Sequence, residues 1–287
     1  MGLTDTMRKL LTNRTFVQGI LVILLLIPLA RPLGLPIRIG EHSKTFYQLI
    51  EDIPPNSKIL FSQVTPAVLM GDLIPQAIPV SYHILSLAKE RNWKIYFVGI
   101  SSPDGILQLI DSEIWATIGW PEEYGLKYGE DWCNLGFIAG GDVSWASFGR
   151  DIRSVVKYDR EGNDIDSLPM MQDVNSVADF DIIFNNGEYN SMIVRQWGEP
   201  YGKPLMLLCL TGAVVQDVEP FYRAGQVKEY LAGVRGAADY ELLVNRPGKA
   251  IASLDAVSVS HLFLIVLVAL GNVMYLVEKS EKGRKGL

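Results

Sequence analysis

The chain has 287 residues, 48% of them hydrophobic and 20% charged, with a formal net charge of -6. The two tails are basic, +2 each, so the part between them carries -10; this acidity argues against a nucleic-acid partner, which needs a Lys/Arg face to neutralise phosphates. Two cysteines without a CxxC and three scattered histidines argue against a disulfide framework or a zinc cluster of about four N/S ligands, and neither metal nor cofactor is expected.

The first element is apolar. Phe16 to Ala30 is extended by Pro32 to Leu35, and residues 16–35 are expected to form a first transmembrane helix behind a tail of residues 1–15. Arg8, Lys9 and Arg14 precede it as they would the core of a signal peptide. No small-x-small triplet precedes Arg31, however, and Pro28 and Pro32 crowd the site, so a retained anchor is expected.

Residues 36–250 read as one α/β domain. Lys58 to Gln63 is a short buried strand, and Pro75 to Arg91 a helix with Ile78, Tyr82, Leu85 and Ala88 on one face. Lys94 to Ile100 is a second strand. Pro103-Asp104 opens another helix, since proline suits a first turn. Asn134 to Ala139, Phe180 to Asn185 and Pro204 to Leu210 are further strands, with a polar, irregular excursion from Asp142 to Gln172. A long helix is expected from about Glu219 to Leu243. Short apolar strands alternating with helices imply parallel strands covered on both faces. The expected fold is therefore α/β, a doubly wound, mostly parallel five-stranded sheet of Rossmann or flavodoxin type, flanked by N- and C-terminal transmembrane helices. Cys133 and Cys209 fall at opposite edges of such a sheet, so no bridge between them is expected.

Val257 to Val277 has no formally charged side chain and is long enough to cross a ~30 Å hydrocarbon core. It is the second expected span, followed by a basic tail of residues 278–287. Two spans place both tails on one side. The tails carry more Lys/Arg than the inner flanks, which leans towards cytoplasmic termini and an extracytoplasmic α/β domain. Asn272, with Gly271 beside it, is a candidate contact to another membrane helix.

Ligands of open α/β sheets bind beyond the carboxyl ends of the strands. Those ends hold Ser101, Ser102, Gly140, Gly141, Asp142, Asn185, Asn186 and Thr211. Gly140 and Gly141 could cradle an anion, yet the chain has neither GxGxxG nor GxxxxGK[ST], and ordinary turns use the same residues. Ser144 with His83 as base is the only hydrolase candidate, and GxSxG is missing. In the expected last helix Gly225, Ala232, Gly233 and Gly236 suggest a smooth stripe, packed on the domain's own sheet or on a neighbouring subunit.

Three stretches carry a resemblance: Glu123-Tyr124-Gly125-Leu126-Lys127-Tyr128-Gly129-Glu130-Asp131 with Asn134-Leu135-Gly136; Ala178-Asp179-Phe180-Asp181; and Ala224-Gly225-Gln226 leading to Gly236-Ala237-Ala238-Asp239-Tyr240-Glu241. They resemble a prokaryotic family of membrane-anchored α/β, Rossmann-like proteins with no settled function. Asp239 stands where that pattern has Glu. The resemblance covers residues 45–243 for the most part and implies a tethered α/β domain, without catalytic or cofactor residues. The expected function is that of a non-enzymatic subunit of a membrane assembly, homo- or hetero-oligomeric. Binding of a small anionic or nucleotide-like ligand is the second reading, and a membrane-tethered hydrolase the third.

Overall fold

The structure is a computed structural model that describes residues 9–100, 106–188, 190–202 and 205–285. In chain order its helices and strands are α1 (Arg14–Ala30), α2 (Glu41–Glu51), β1 (Lys58–Val64), α3 (Met70–Arg91), β2 (Lys94–Ile100), α4 (Ile106–Ile118), β3 (Trp132–Ile138), α5 (Gly141–Arg150), β4 (Ile182–Gly187), β5 (Leu205–Leu210), α6 (Val215–Arg223), β6 (Glu229–Ala232), α7 (Gly233–Leu243) and α8 (Lys249–Lys285). The chain divides into two compact units: Ile37–Arg246, and Met1–Pro36 together with Pro247–Leu287.

The larger unit holds one parallel sheet of six strands in the order β3-β2-β1-β4-β5-β6. Strand order reverses between β1 and β4, the arrangement of Rossmann-type folds. Phe61 of β1 lies opposite Phe97 of β2 and Phe184 of β4. Alternate residues feed two separate cores. One, with Phe61, Phe184 and Leu207, packs on Phe46 of α2, Ile84 of α3, Trp115 of α4 and Tyr240 of α7. The other, with Leu60, Leu135 and Leu208, packs on Trp145 and Phe148 of α5, on Val218 of α6 and on Trp197 of the helical turn Val194–Gly198.

Three expectations change. The sheet has six strands, not five, because the stretch expected as one helix from Glu219 to Leu243 breaks. Gly225 takes a left-handed conformation (φ +75°) after α6, and Glu229–Ala232 then pairs with β5. Gly225, Ala232, Gly233 and Gly236 accordingly lie on a turn, a strand and two points of α7, not on one helical stripe. A Cβ at Gly236 would stand 3.3 Å from the Leu231 backbone, so this glycine seats α7 on its own strand. The excursion after β3 is also more ordered than its polarity suggests. It contains α5 and the short turns Ile152–Ser154, Ile165–Ser167, Pro169–Met171 and Val177–Asp179, whose Ile152, Ile165 and Met171 are buried in the second core. Finally, α3 starts at Met70, ahead of Pro75, which forfeits the one bond its missing N–H would have made to Gly71.

In the smaller unit, α1 packs against α8. Lys249–Val277 is long and apolar enough to cross a membrane by length and composition, and the helix continues through the charged residues that follow to Lys285 rather than ending in a separate tail. α1 is a shorter apolar helix of 17 residues. Residues 33–35 do not extend it; they are held instead by Asp255. That buried carboxylate accepts hydrogen bonds from Leu33 N (2.7 Å), Gly34 N (2.9 Å) and Leu35 N (3.2 Å). The end of α1 thus meets the beginning of α8, and the pair is antiparallel.

Candidate functional site

The reversal in strand order places the carboxyl ends of β1 and β4 side by side. β1 ends in Ser62-Gln63-Val64, with Thr65 directly after it, and β4 ends in Asn185-Asn186-Gly187. These polar side chains are buried, in strands otherwise built of Ile, Leu and Phe. On one face Ser62 Oγ donates to Asn185 Oδ1, and Asn185 Nδ2 donates to Asn190 Oδ1 at 2.7 Å. On the other, Gln63 Nε2 donates to Thr65 Oγ1 at 2.9 Å. Gln76 of α3 reaches in on that face and donates to the Leu210 carbonyl at 2.9 Å. Two buried acceptors have no hydrogen-bond partner, Gln76 Oε1 and Asn186 Oδ1. Such groups cost about 1–3 kcal/mol each when left unsatisfied.

The crevice is closed by backbone as well. Gly187 has φ +152°, and a Cβ there would lie 1.9 Å from the Val64 carbonyl oxygen. The turn after β1 is Thr65-Pro66-Ala67-Val68-Leu69, tightened into a 3-10 turn at Ala67–Leu69. Pro66 offers no N–H, and the turn has none of the glycines that let a pyrophosphate approach a helix N-terminus.

The expected site residues share the carboxyl edge, but not one pocket. Asn185 and Asn186 sit at the reversal. Thr211, buried, follows β5, one strand away. Gly140, Gly141 and Asp142 follow β3, the outermost strand, roughly 14 Å from β4 at ~4.8 Å per strand. Gly140, not Asp142, occupies the cap of α5; Asp142 is exposed in its first turn. Ser101 and Ser102 lie outside the described residues. Two clefts of about 490 and 590 Å³ open at the opposite, amino edge, the first lined by Asp52, Pro55 and Asp181, the second by Lys58, Lys94 and Asp173. Among the described residues, no group of three His, Cys, Asp or Glu side chains could hold a metal. Cys133 of β3 and Cys209 of β5 are both free and buried, with three strands between them, and burial pushes both thiols up.

A second polar cluster was not visible in the sequence. His83 of α3 is buried, with both ring nitrogens engaged. Tyr240 Oη of α7 lies 2.7 Å from Nδ1, and Nε2 lies 2.9 Å from Glu51 Oε1 of α2. Arg91 Nη2 donates to Glu51 Oε2 at 3.2 Å, and Tyr47 stacks on the imidazole at 4.4 Å. Burial pushes the His83 imidazole below its ordinary value despite Glu51, and burial also raises the Tyr240 hydroxyl. The pattern is a neutral imidazole that accepts from Tyr240 and donates to Glu51. Burial alone would raise the Glu51 carboxyl, but the hydrogen bonds from His83 and Tyr47 and the charge of Arg91 hold it below its usual range. His83 therefore cannot serve Ser144 as a base while these bonds stand.

The cluster ties three helices together and makes stability depend on pH. His83 binds its proton more weakly when folded, so stability falls as pH drops below the ordinary imidazole value of 6.5. Glu51 adds a loss below its ordinary 4.5, as pH approaches the depressed folded value. One proton contributes at most about 1.4 kcal/mol per pH unit. Melting profiles in mild detergent between pH 7.5 and about 5 should fall for the natural protein and be flatter for His83→Gln; parallel profiles would remove His83 as the cause.

The stretches that carry the family resemblance perform structural tasks. Asp239, buried, accepts from Gly40 N at 2.8 Å, Ser43 Oγ at 3.2 Å and Arg235 Nε at 3.0 Å, which fixes the start of α2. Tyr240 holds His83. Tyr124 Oη donates to the Ile118 carbonyl at 2.5 Å, and Asp131 receives Lys94 Nζ at 2.7 Å and Lys127 N at 3.0 Å. No family model matches the chain, and no curated protein or solved structure matches it either.

Proposed function

We propose that the chain is a membrane-tethered, non-enzymatic subunit of a membrane assembly, held in the bilayer by α1 and α8 as an antiparallel pair. The observation that carries this reading is the Asp255 clasp on residues 33–35, which fixes the end of α1 to the beginning of α8. The outer faces of the pair are largely apolar and exposed: Ile23 and Leu26 on α1, Leu262 and Leu276 on α8. In water this surface would be a large hydrophobic patch; in a bilayer it is the expected lipid contact. α1 alone is about 26 Å long at 1.5 Å per residue, short for a ~30 Å core unless its flanks contribute or the membrane thins. Both tails lie on one side, and their basic residues favour the cytoplasmic side, with the α/β unit outside.

The assembly role is supported by what the conspicuous polar residues of the α/β unit do. At the β1–β4 reversal Ser62, Asn185 and Asn190 bond to one another, as do Gln63 and Thr65, and elsewhere such residues clasp helices. Labelling each end of the chain from a defined side of the membrane tests this reading.

A second reading is favoured by Gln76 Oε1 and Asn186 Oδ1, two buried acceptors without partners at the place where Rossmann-type folds bind ligands. They suit a small molecule that brings N–H or O–H donors. The anionic or nucleotide-like form of this reading rests on the Gly140 and Gly141 backbone, three strands from β4.

A further inference from the structure

The polar side chains of α8 are not distributed evenly around it. Within its apolar run, Val257 to Val277, the half-buried residues are Val259, Ser260, Phe263, Leu267, Leu270 and Met274, one stripe with Ser260 at its edge that marks the side packed on α1. Ser258, His261, Ile265, Val268 and Asn272 are all exposed and form a second stripe at 3-4-3-4 spacing. At 100° per residue, Asn272 stands roughly 180° from Phe263. Three polar residues of this mostly apolar run, Ser258, His261 and Asn272, therefore face away from α1, while Ser260 is half-buried. In a bilayer a polar group on the lipid side is costly, and such groups commonly face another helix.

We propose that this stripe is a self-association seam, on which α8 of a second copy of this chain packs across a two-fold axis. The proposal rests on the two-pass membrane reading given above. The spacing is that of a left-handed helix pair, with Ser258, Ile265 and Asn272 at one heptad position and His261 and Val268 at the other. A single asparagine at that first position is the device that fixes the register of such a pair. The second copy is the occupant that the chemistry suits. Two copies in one bilayer run parallel, so like residues meet at one level. A carboxamide both donates and accepts, so Asn272 satisfies Asn272 of the other copy. The rest of the seam has no Asp, Glu, Lys or Arg that would call for a complementary charge from a different protein.

The test is disulfide cross-linking of full-length protein in its native membranes, after an alkaline carbonate wash. Ile265→Cys and Val268→Cys should each give a covalent dimer, twice the 31.9 kDa of the chain, and Leu267→Cys, on the α1 side, should not. Cys133 and Cys209 are buried and should remain silent. Adding Asn272→Leu to the Val268→Cys chain should lower the cross-linked fraction about three- to tenfold, and Asn272→Gln should restore part of it. No product, equal product from all three positions, or a product that contains a different protein would overturn the seam. A chain that the carbonate wash removes would overturn the membrane reading itself, whereas one that stays in the membrane uncross-linked overturns only self-association.

Discussion

Gly187→Ala should cost the α/β unit more than about 4 kcal/mol, a large share of the 5–15 kcal/mol by which domains are usually stable. The added methyl would sit 1.9 Å from the Val64 carbonyl oxygen and 2.4 Å from its carbon. Neither atom belongs to a flexible side chain. Val64 O also accepts from Glu188 N at 3.0 Å, so the strand ends cannot part without losing that bond. β1 and β4 are the two central strands, and their separation would open both cores. Gly141→Ala is the contrast. Its Cβ meets nothing within 4 Å, and only the left-handed backbone (φ +62°) penalises it, by about 1–2 kcal/mol. Thermal melting of the two variants in detergent should separate them by at least about 5 °C; indistinguishable melts would mean that β1 and β4 do not approach in this way.

Asp255→Ala should release the connection after α1. The carboxylate accepts three successive backbone N–H groups, and a hydrogen bond to a charged group is worth about 1.5–3 kcal/mol. Its removal leaves three donors without a partner. The expected loss is roughly 3 kcal/mol or more, confined to the smaller unit. Asp255→Asn keeps an acceptor oxygen and should lose about half as much. Limited proteolysis in detergent reads the difference: cleavage between residues 31 and 36 should become fast in the alanine variant, with the melting of the α/β unit unchanged. Equal resistance in both chains would show that the clasp does not hold this segment.

The sequence shows the strands that are fully buried and hides what depends on register. KILFSQ, KIYFVGI and FDIIFN stand out because both faces of a central parallel strand are apolar. Glu229–Ala232 does not. It has four residues, begins with a charge, and lies between stretches whose Ala and Gly content reads as helix. The asparagines of β4 attract notice because they end an apolar run. Ser62 and Gln63 look like ordinary strand positions, and Gln76 and Asn190 join them only through the register of β1 with β4 and the placement of α3. The His83 cluster draws on positions 51, 83 and 240, whose separation in sequence carries no signal of contact. The expected stripe on one long helix is absent for a related reason. Gly225 ends a helix as readily as it smooths one, and only the left-handed backbone at that residue decides between the two.

The antiparallel pairing of α1 and α8 in the bilayer is the centre of the functional reading, and side-specific labelling addresses it directly. Single cysteines at Thr4, Ser280 and Glu161 would be treated with a membrane-impermeant thiol reagent in sealed vesicles of known orientation. Thr4→Cys and Ser280→Cys should respond alike, and Glu161→Cys, in the α/β unit, should respond only from the other side. Labelling of Thr4→Cys and Ser280→Cys from opposite faces, or of all three from one face, would contradict the two-pass arrangement.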